Sequence, residues 1–317
     1  MNWLFFLLIL GFANTEPYPS ATWGFHSHKM INRLAVFTLP PTMVSFYKYH
    51  IHEITQGAVR ADQRRYAINE EAPRHYIDLD YYGPGVPEHW AEAQELFPSD
   101  SMQAHGILPW HLRFIKFKLT KAMVSQDAAA VISLSADAGH YIADAHVPLH
   151  TTSNYNGQKS GQHGIHGFWE TRIPELFWDS FDLWVGKARY RNNYYCDLWD
   201  VLWSSYNGVD SVLKIEKRLS MAFPPDSKFG YEQRNKQVVK VYSRRFSRAY
   251  HRQLNRQVEH KVRAAIKFVG DFWYTCWIDA GQPNLHQLTK PLQAIELDKM
   301  DEYWQYGHVS RDSTTLK

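Results

Sequence analysis

The sequence predicts an all-α protein built as a single multi-helix domain, and three observations predict it. Apolar residues recur at intervals of three and four along most of the chain, and strand-like alternation is scarce. One stretch, Ala128 to Ala145, is rich enough in Ala, Ile and Leu to form a buried central helix. With 317 residues, 44% of them hydrophobic and 15% aromatic, the chain can bury a substantial core. Its formal net charge of +3 points to no class of partner.

The elements follow in order. Trp3 to Ala13 is an unbroken apolar run between Asn2 and Asn14-Thr15-Glu16. Its length suits the hydrophobic region of a signal peptide and is too short to span a bilayer. Residues 1–22 are therefore expected to be a signal peptide, cleaved after Ala13 or nearer Ala21 and Thr22. The protein is expected to be exported, either periplasmic or secreted. Residues 23–287 form the helical domain, and 288–317 a polar C-terminal tail.

Within the domain, Met30, Ile31, Leu34, Ala35 and Leu39 share one helix face, and Pro40-Pro41 ends that helix. Leu108-Pro109-Trp110 opens another, with Leu112, Ile115 and Leu119 turned to the core. Phe168 to Trp178 continues the helical pattern. Val238 to Ala280 is expected as one long or broken helix, stopped by Gly281-Gln282-Pro283. Gly83-Pro84-Gly85 and Asn154-Tyr155-Asn156-Gly157 read as loops. Cys196 and Cys276, the only cysteines, either pair across a long loop or remain free, and no C-x-x-C pair suggests a thiolate zinc site.

The histidines carry the chemistry. His140 and Asp144 stand four apart on the predicted central helix, so both side chains reach the same ion. His166 and Glu170 repeat that interval, and His150 lies between the pairs, just after Pro148-Leu149. Imidazole nitrogen with carboxylate oxygen is a donor set suited to zinc. An isolated histidine, such as His89, His105 or His260, is more often a satisfied core or surface residue.

The run His140-Tyr141-Ile142-Ala143-Asp144-Ala145-His146-Val147-Pro148-Leu149-His150 resembles the H-x-x-x-D-x-x-x-P-L-H signature of the zinc-dependent phospholipase C and fungal single-strand nuclease superfamily. That resemblance implies an all-helical fold with three zinc ions. Trp23-Gly24-Phe25-His26-Ser27-His28 matches the start of the family's mature chain, so Trp23 is expected to bind metal through its amine and carbonyl, and His28 through its ring. Ala61-Asp62-Gln63-Arg64-Arg65 and Arg74-His75-Tyr76-Ile77-Asp78 match two further motifs, adding Asp62 and His75. The resemblance thus implies one zinc on Asp62, His75, His140 and Asp144. It puts a second on Trp23, His28 and Asp144, and a third on His150, His166 and Glu170. Ala143 and Val147 depart from the family's usual Gly and Gln, at positions that bind no metal.

Three zincs suit hydrolysis of a phosphodiester: two activate a shared water and the third neutralises developing charge. Asp62 is expected to orient that water or act as base, Arg65 to steady the phosphate, and Tyr76 and Asp78 to contact the substrate. Glu170 favours a phospholipase C-like phosphodiesterase. By the same resemblance, the basic Arg65 after Asp62 favours the alternative, a single-strand-specific endonuclease or 3'-nucleotidase of that superfamily. A third expectation is a non-catalytic, zinc-stabilised protein that binds anions. From Lys236 to Lys267 there are ten Lys or Arg and one acid, Glu259. Read as a helix, 236–267 carries a basic stripe that is either a solvated face or a contact for an anionic surface. Nothing in the sequence points to an obligate protein partner.

Overall fold

The protein's structure, a computed structural model, describes residues 24–234 and 237–289. The expected signal peptide, Trp23 and tail residues 290–317 lie outside the described residues. The first half of the chain forms α1 (Gly24–Ala35), α2 (Pro41–Tyr49), α3 (Ile51–Gly57), α4 (Arg60–Arg64), α5 (Leu79–Tyr82), α6 (Trp90–Leu96), α7 (Ser99–His105), α8 (Leu108–Val124) and α9 (Ala128–His146). The second half forms α10 (Ile165–Gly167), α11 (Ile173–Phe177), α12 (Tyr194–Ala222) and α13 (Pro225–Lys228). A hairpin of β1 (Phe229–Arg234) and β2 (Gln237–Tyr242) then precedes α14 (Arg244–Gln253) and α15 (Gln257–Asp279). Among the described residues the protein is thus predominantly helical, with one small sheet.

Helix α9 is the axis of the fold. Asp127 caps it by accepting from the Ala130 amide at 3.0 Å, and every residue from Ala130 to His146 is buried. A helix apolar on all sides must be surrounded, and α1, α3, α8, α12 and α15 all pack against it. His140 and Asp144 are therefore carried into the interior by a rigid element.

Helix α1 meets α9 at Gly139. Asn32 donates from Nδ2 to the carbonyls of Ala136 (3.0 Å) and Ile54 (3.3 Å), tying α1 to α9 and α3. A Cβ on residue 139 would sit 1.8 Å from Asn32 Oδ1, so the close approach requires glycine. Gly139→Ala is expected to force α1 away from α9 and to destabilise the protein by about 1–3 kcal/mol. Urea unfolding checks this, and an unchanged midpoint would contradict it. After Ala35 the chain makes a single 3-10 turn, and Pro41 opens α2, so the helix ends before Pro40-Pro41 as the sequence suggests.

The 236–267 stretch corrects an expectation, because it is not one basic helix. Gln237–Tyr242 is a strand paired antiparallel with Phe229–Arg234, Lys240 opposite Tyr231. The cause is the β-branched run Val238, Val239 and Val241, which is stiff in a helix and fits a pleated surface. Helix α14 begins after that strand, capped by Ser243, whose Oγ accepts from the Phe246 amide at 3.2 Å. Asn255 and Arg256 then take positive φ of 49° and 59° and separate α14 from α15. The four-residue cation spacing therefore does not make one stripe. Arg244, Arg245, Arg248 and Arg252 do form an exposed arc on α14, opposite its buried Phe246, Ser247 and Tyr250. Beyond it, Lys261, Arg263 and Lys267 turn inward or pair, to Ser205, Asp182 and Asp271 respectively.

Cys196 is exposed, Cys276 is buried, and both are free thiols. No helix among the described residues is long and apolar enough to cross a membrane.

Candidate metal centre

Eight of the nine proposed ligands lie among the described residues, and the fold brings all eight together. Helix α9 supplies His140 and Asp144, α1 supplies His28, and α4 supplies Asp62. His75 ends a 3-10 segment, Asn69–His75, and His150 sits in the 3-10 turn Pro148–Thr151 that follows α9. His166 lies on α10, and Glu170 on a π-turn, Phe168–Arg172, where the chain carries an extra residue per turn. Three groups of donor atoms, each within 4.8 Å of one another, emerge: Asp62–His75–His140, His28–His140–Asp144 and His150–His166–Glu170. The ninth ligand, Trp23, lies outside the described residues.

The distances show which residues join the groups. Asp144 Oδ2 lies 3.0 Å from His75 Nδ1 and 3.3 Å from His140 Nε2. Its Oδ1 lies 3.5 Å from His28 Nε2 and 3.8 Å from His150 Nε2. Glu170 reaches both ways, with Oε2 2.7 Å from His166 Nε2 and 3.5 Å from His150 Nε2, and Oε1 3.2 Å from His28 Nε2. Asp62 Oδ1 stands 3.9 Å from both His75 Nδ1 and His140 Nε2. Tetrahedral zinc with bonds near 2.0–2.1 Å sets its donors roughly 3.3 Å apart, within the range seen here.

The outer ring nitrogens decide which tautomer each ring adopts. His140 Nδ1 donates to Ala58 O (2.8 Å), His150 Nδ1 to His75 O (2.7 Å) and His166 Nδ1 to Tyr155 O (3.1 Å). In the neutral rings, each Nε2 then turns a lone pair inward. His75 is reversed: its Nδ1 faces the cluster, 3.0 Å from His140 Nε2, and its Nε2 faces Glu71. His140 Nε2, His75 Nδ1 and the Asp144 carboxylate thus converge at contact distance, an arrangement that a cation, or a hydrogen on His75 Nδ1, satisfies.

The electrostatics reflect that convergence. Burial opposes ionisation of Asp144, but the charges of His140 and His150 and hydrogen bonds from His140 and His75 hold it well below the usual carboxylate range. Glu170 is held low against burial by His150, His166 and His28. Burial works against protonating His28, yet the hydrogen bond to Glu170 and the charge of Asp144 push it up to about 9. His150 is likewise pushed up to about 9, against burial, chiefly by Asp144 and Glu170.

The expected catalytic and substrate residues lie at the edge. Asp62 is partly exposed, and Arg65 reaches its Oδ1 at 3.4 Å from a half-exposed position. Tyr76 donates from its hydroxyl to Ala104 O at 3.2 Å. Asp78 is buried and accepts from His105 Nδ1 at 2.9 Å, while the His105 ring stacks on Tyr81 at 3.6 Å. Its carboxylate is thus already engaged, which weakens the expectation that it contacts substrate directly.

Glu71 is what the sequence reading missed. It is fully buried, and Arg64, Arg74 and Tyr141 all donate to it. Burial opposes its ionisation, but the neighbouring His75 and the charges of Arg64 and Arg74 hold it below the ordinary carboxylate range. The signal was present: Glu71 and His75 repeat the interval of four found in the other two pairs. Pro73 between them disfavours an α-helix, and the segment is a 3-10 helix instead.

No protein-family model matches the chain, and a search of curated proteins finds no match.

Proposed function

We propose that this protein is an exported zinc-dependent phosphodiesterase, of the phospholipase C and single-strand nuclease type, that holds three zinc ions. The observation that carries the proposal is the convergence of five histidines and three carboxylates, Asp144 among them, with four of the five outer ring nitrogens directed at protein acceptors. Asp62, His75, His140 and Asp144 would hold one ion. His28 and Asp144, with Trp23, would hold the second, and His150, His166 and Glu170 the third. Bound zinc supplies Lewis acidity that makes water nucleophilic at neutral pH.

The chain's own groups do the rest. Asp62 is the ligand carboxylate with the greatest exposure, 22% of its side chain against 1% for Asp144 and 13% for Glu170. That exposure supports a role in which Asp62 would orient a water and receive its proton. Arg65, beside it, offers a planar guanidinium to a phosphate. Tyr76 presents a ring next to His75 for a choline-type head group or a base. The arginine arc of α14 supplies a contact for the polyanionic surface that carries the diester.

A phospholipid head group is the first substrate class, because Glu170 stands where the nuclease branch usually has Asp. Single-stranded nucleic acid is the second, favoured by Arg65 beside Asp62.

The test is a panel of phosphatidylcholine vesicles containing an anionic lipid, single-stranded DNA, RNA and a small soluble aryl phosphodiester, assayed with zinc-loaded protein. Zinc-dependent cleavage is expected, with lipid preferred. Arg248→Glu with Arg252→Glu should slow cleavage of the polyanionic substrate severalfold at low salt and spare the soluble diester. Full zinc loading without hydrolysis of any substrate would overturn the proposal in favour of a non-catalytic anion-binding protein.

A further inference from the structure

We infer that Glu71 is a positioning residue: it fixes which nitrogen His75 turns toward the metal and so sets the affinity of the Asp62–His75–His140–Asp144 site. This rests on the proposed metal centre. A neutral imidazole carries one hydrogen, so the partner of its outer nitrogen decides which nitrogen is free to bind. In His140, His150 and His166 that partner is a main-chain carbonyl. His75 alone turns its outer nitrogen to a carboxylate. Its Nε2 is buried, stands 3.6 Å from Glu71 Oε1 and has no hydrogen-bond partner among the described residues.

Glu71 is itself held rigidly. Arg74 Nη1 donates to Oε2 at 2.6 Å, Arg64 reaches both oxygens at 3.4 Å, and the Tyr141 hydroxyl donates to Oε1. Asp137, also fully buried, takes the other side of Arg64 at 3.2–3.3 Å. Two arginines and two acids leave the cluster near neutrality, so a buried carboxylate can be kept charged there.

The connectivity makes the role specific. Arg64 lies two residues from Asp62 on α4, Arg74 immediately precedes His75, and Tyr141 immediately follows His140. Each donor to Glu71 is thus a near neighbour of a ligand of the first site. The hydrogen bonds and ion pairs of Glu71 run to Arg64, Arg74, Tyr141 and His75, and none of these four is a ligand of the third site. One carboxylate therefore aligns three separate segments around one ion, and its effect should be confined to that ion.

The experiment compares wild type, Glu71→Gln and Glu71→Ala by zinc stoichiometry, chelator competition and ring-nitrogen NMR of the zinc-loaded proteins. Wild type is expected to bind three zincs with the His75 hydrogen on Nε2. Glu71→Gln should release one ion at a roughly 10- to 100-fold lower chelator strength, the usual scale for an outer-shell partner. The ring signals of His75 and His140 should lose their metal shifts first, while those of His150 and His166 persist.

A purely structural role would lower the stability of the metal-free protein and weaken all three ions together, and that result would overturn the inference. So would unchanged affinity in Glu71→Gln, or a His75 hydrogen on Nδ1. If Glu71→Ala does not fold, the isosteric Glu71→Gln carries the test. Failure of wild type to take up zinc would sink the metal centre and this inference with it, whereas zinc-replete wild type with an indifferent Glu71→Gln would sink this inference alone.

Discussion

On the proposed loading, Asp144→Ala is expected to remove at least two of three zinc ions and to reduce the proposed phosphodiester hydrolysis to background. The Asp144 carboxylate meets four of the ligand rings. Its Oδ2 faces His75 and His140, and its Oδ1 faces His28 and His150, all within 3.8 Å. The carboxylate is 1% exposed, so water cannot readily replace it. Asp144→Asn keeps the shape but offers an amide nitrogen where a charged oxygen stood. It should therefore fail nearly as completely, which separates the loss of charge from the loss of packing. Elemental analysis of the purified variants, with activity measured in parallel, checks this. A variant that kept three zincs would refute the bridging role.

Withdrawing zinc is expected to destabilise the protein, and to do so more as pH rises. In the metal-free state His28 and His150 titrate near 9 instead of the ordinary 6.5. A group raised in this way contributes its full stabilisation below 6.5 and loses it as pH climbs through about 9. Asp144 and Glu170 are displaced the other way. Their contribution is present above the ordinary carboxylate value of about 4 and is lost on acidification.

Protons thus hold the empty cluster together in mildly acidic solution and leave it in alkaline solution. Each raised histidine is worth roughly 3 kcal/mol, and the pair less than twice that, because both lean on the same two carboxylates. Zinc needs the rings deprotonated, so its binding strengthens over the same interval. The gap in melting temperature between zinc-loaded and chelated protein should widen steadily from pH 6.5 to 9. A constant or narrowing gap in calorimetry would mean that the metal-free rings are not protonated as described.

Most of the site was legible in the sequence because its strongest elements are local. His140 and Asp144 share a helix face, and an interval of four puts them together whatever else the chain does. The His166–Glu170 interval survived for a different reason. The chain passes from α-helix into a π-turn between them, yet the two side chains still meet at 2.7 Å.

Glu71 was hidden because a proline conceals a 3-10 turn, and because its partners come from segments far apart in sequence. The hairpin was hidden by cations spaced at four, a helical interval that overrode the strand preference of Val238, Val239 and Val241. Its residues alternate between half-buried and exposed, with Tyr242 stacked on Phe168 at 3.8 Å at the base, but the adjacent Val238 and Val239 blur that period in the sequence. The fate of the two cysteines depends on where they end up in space, which spacing could not give.

The contact between His28 and Glu170 joins residues 142 positions apart, in a chain whose two thiols do not pair. On the proposed loading, the ion held by His28 and Asp144 closes a loop of comparable length, 116 positions from α1 to α9, as a covalent bridge would. On the chain-entropy scale used for disulfides, closing a loop of that length restricts the unfolded ensemble by about 5 kcal/mol. Zinc would then be the crosslink of this protein, one that a chelator opens and an added ion reseals without any redox chemistry.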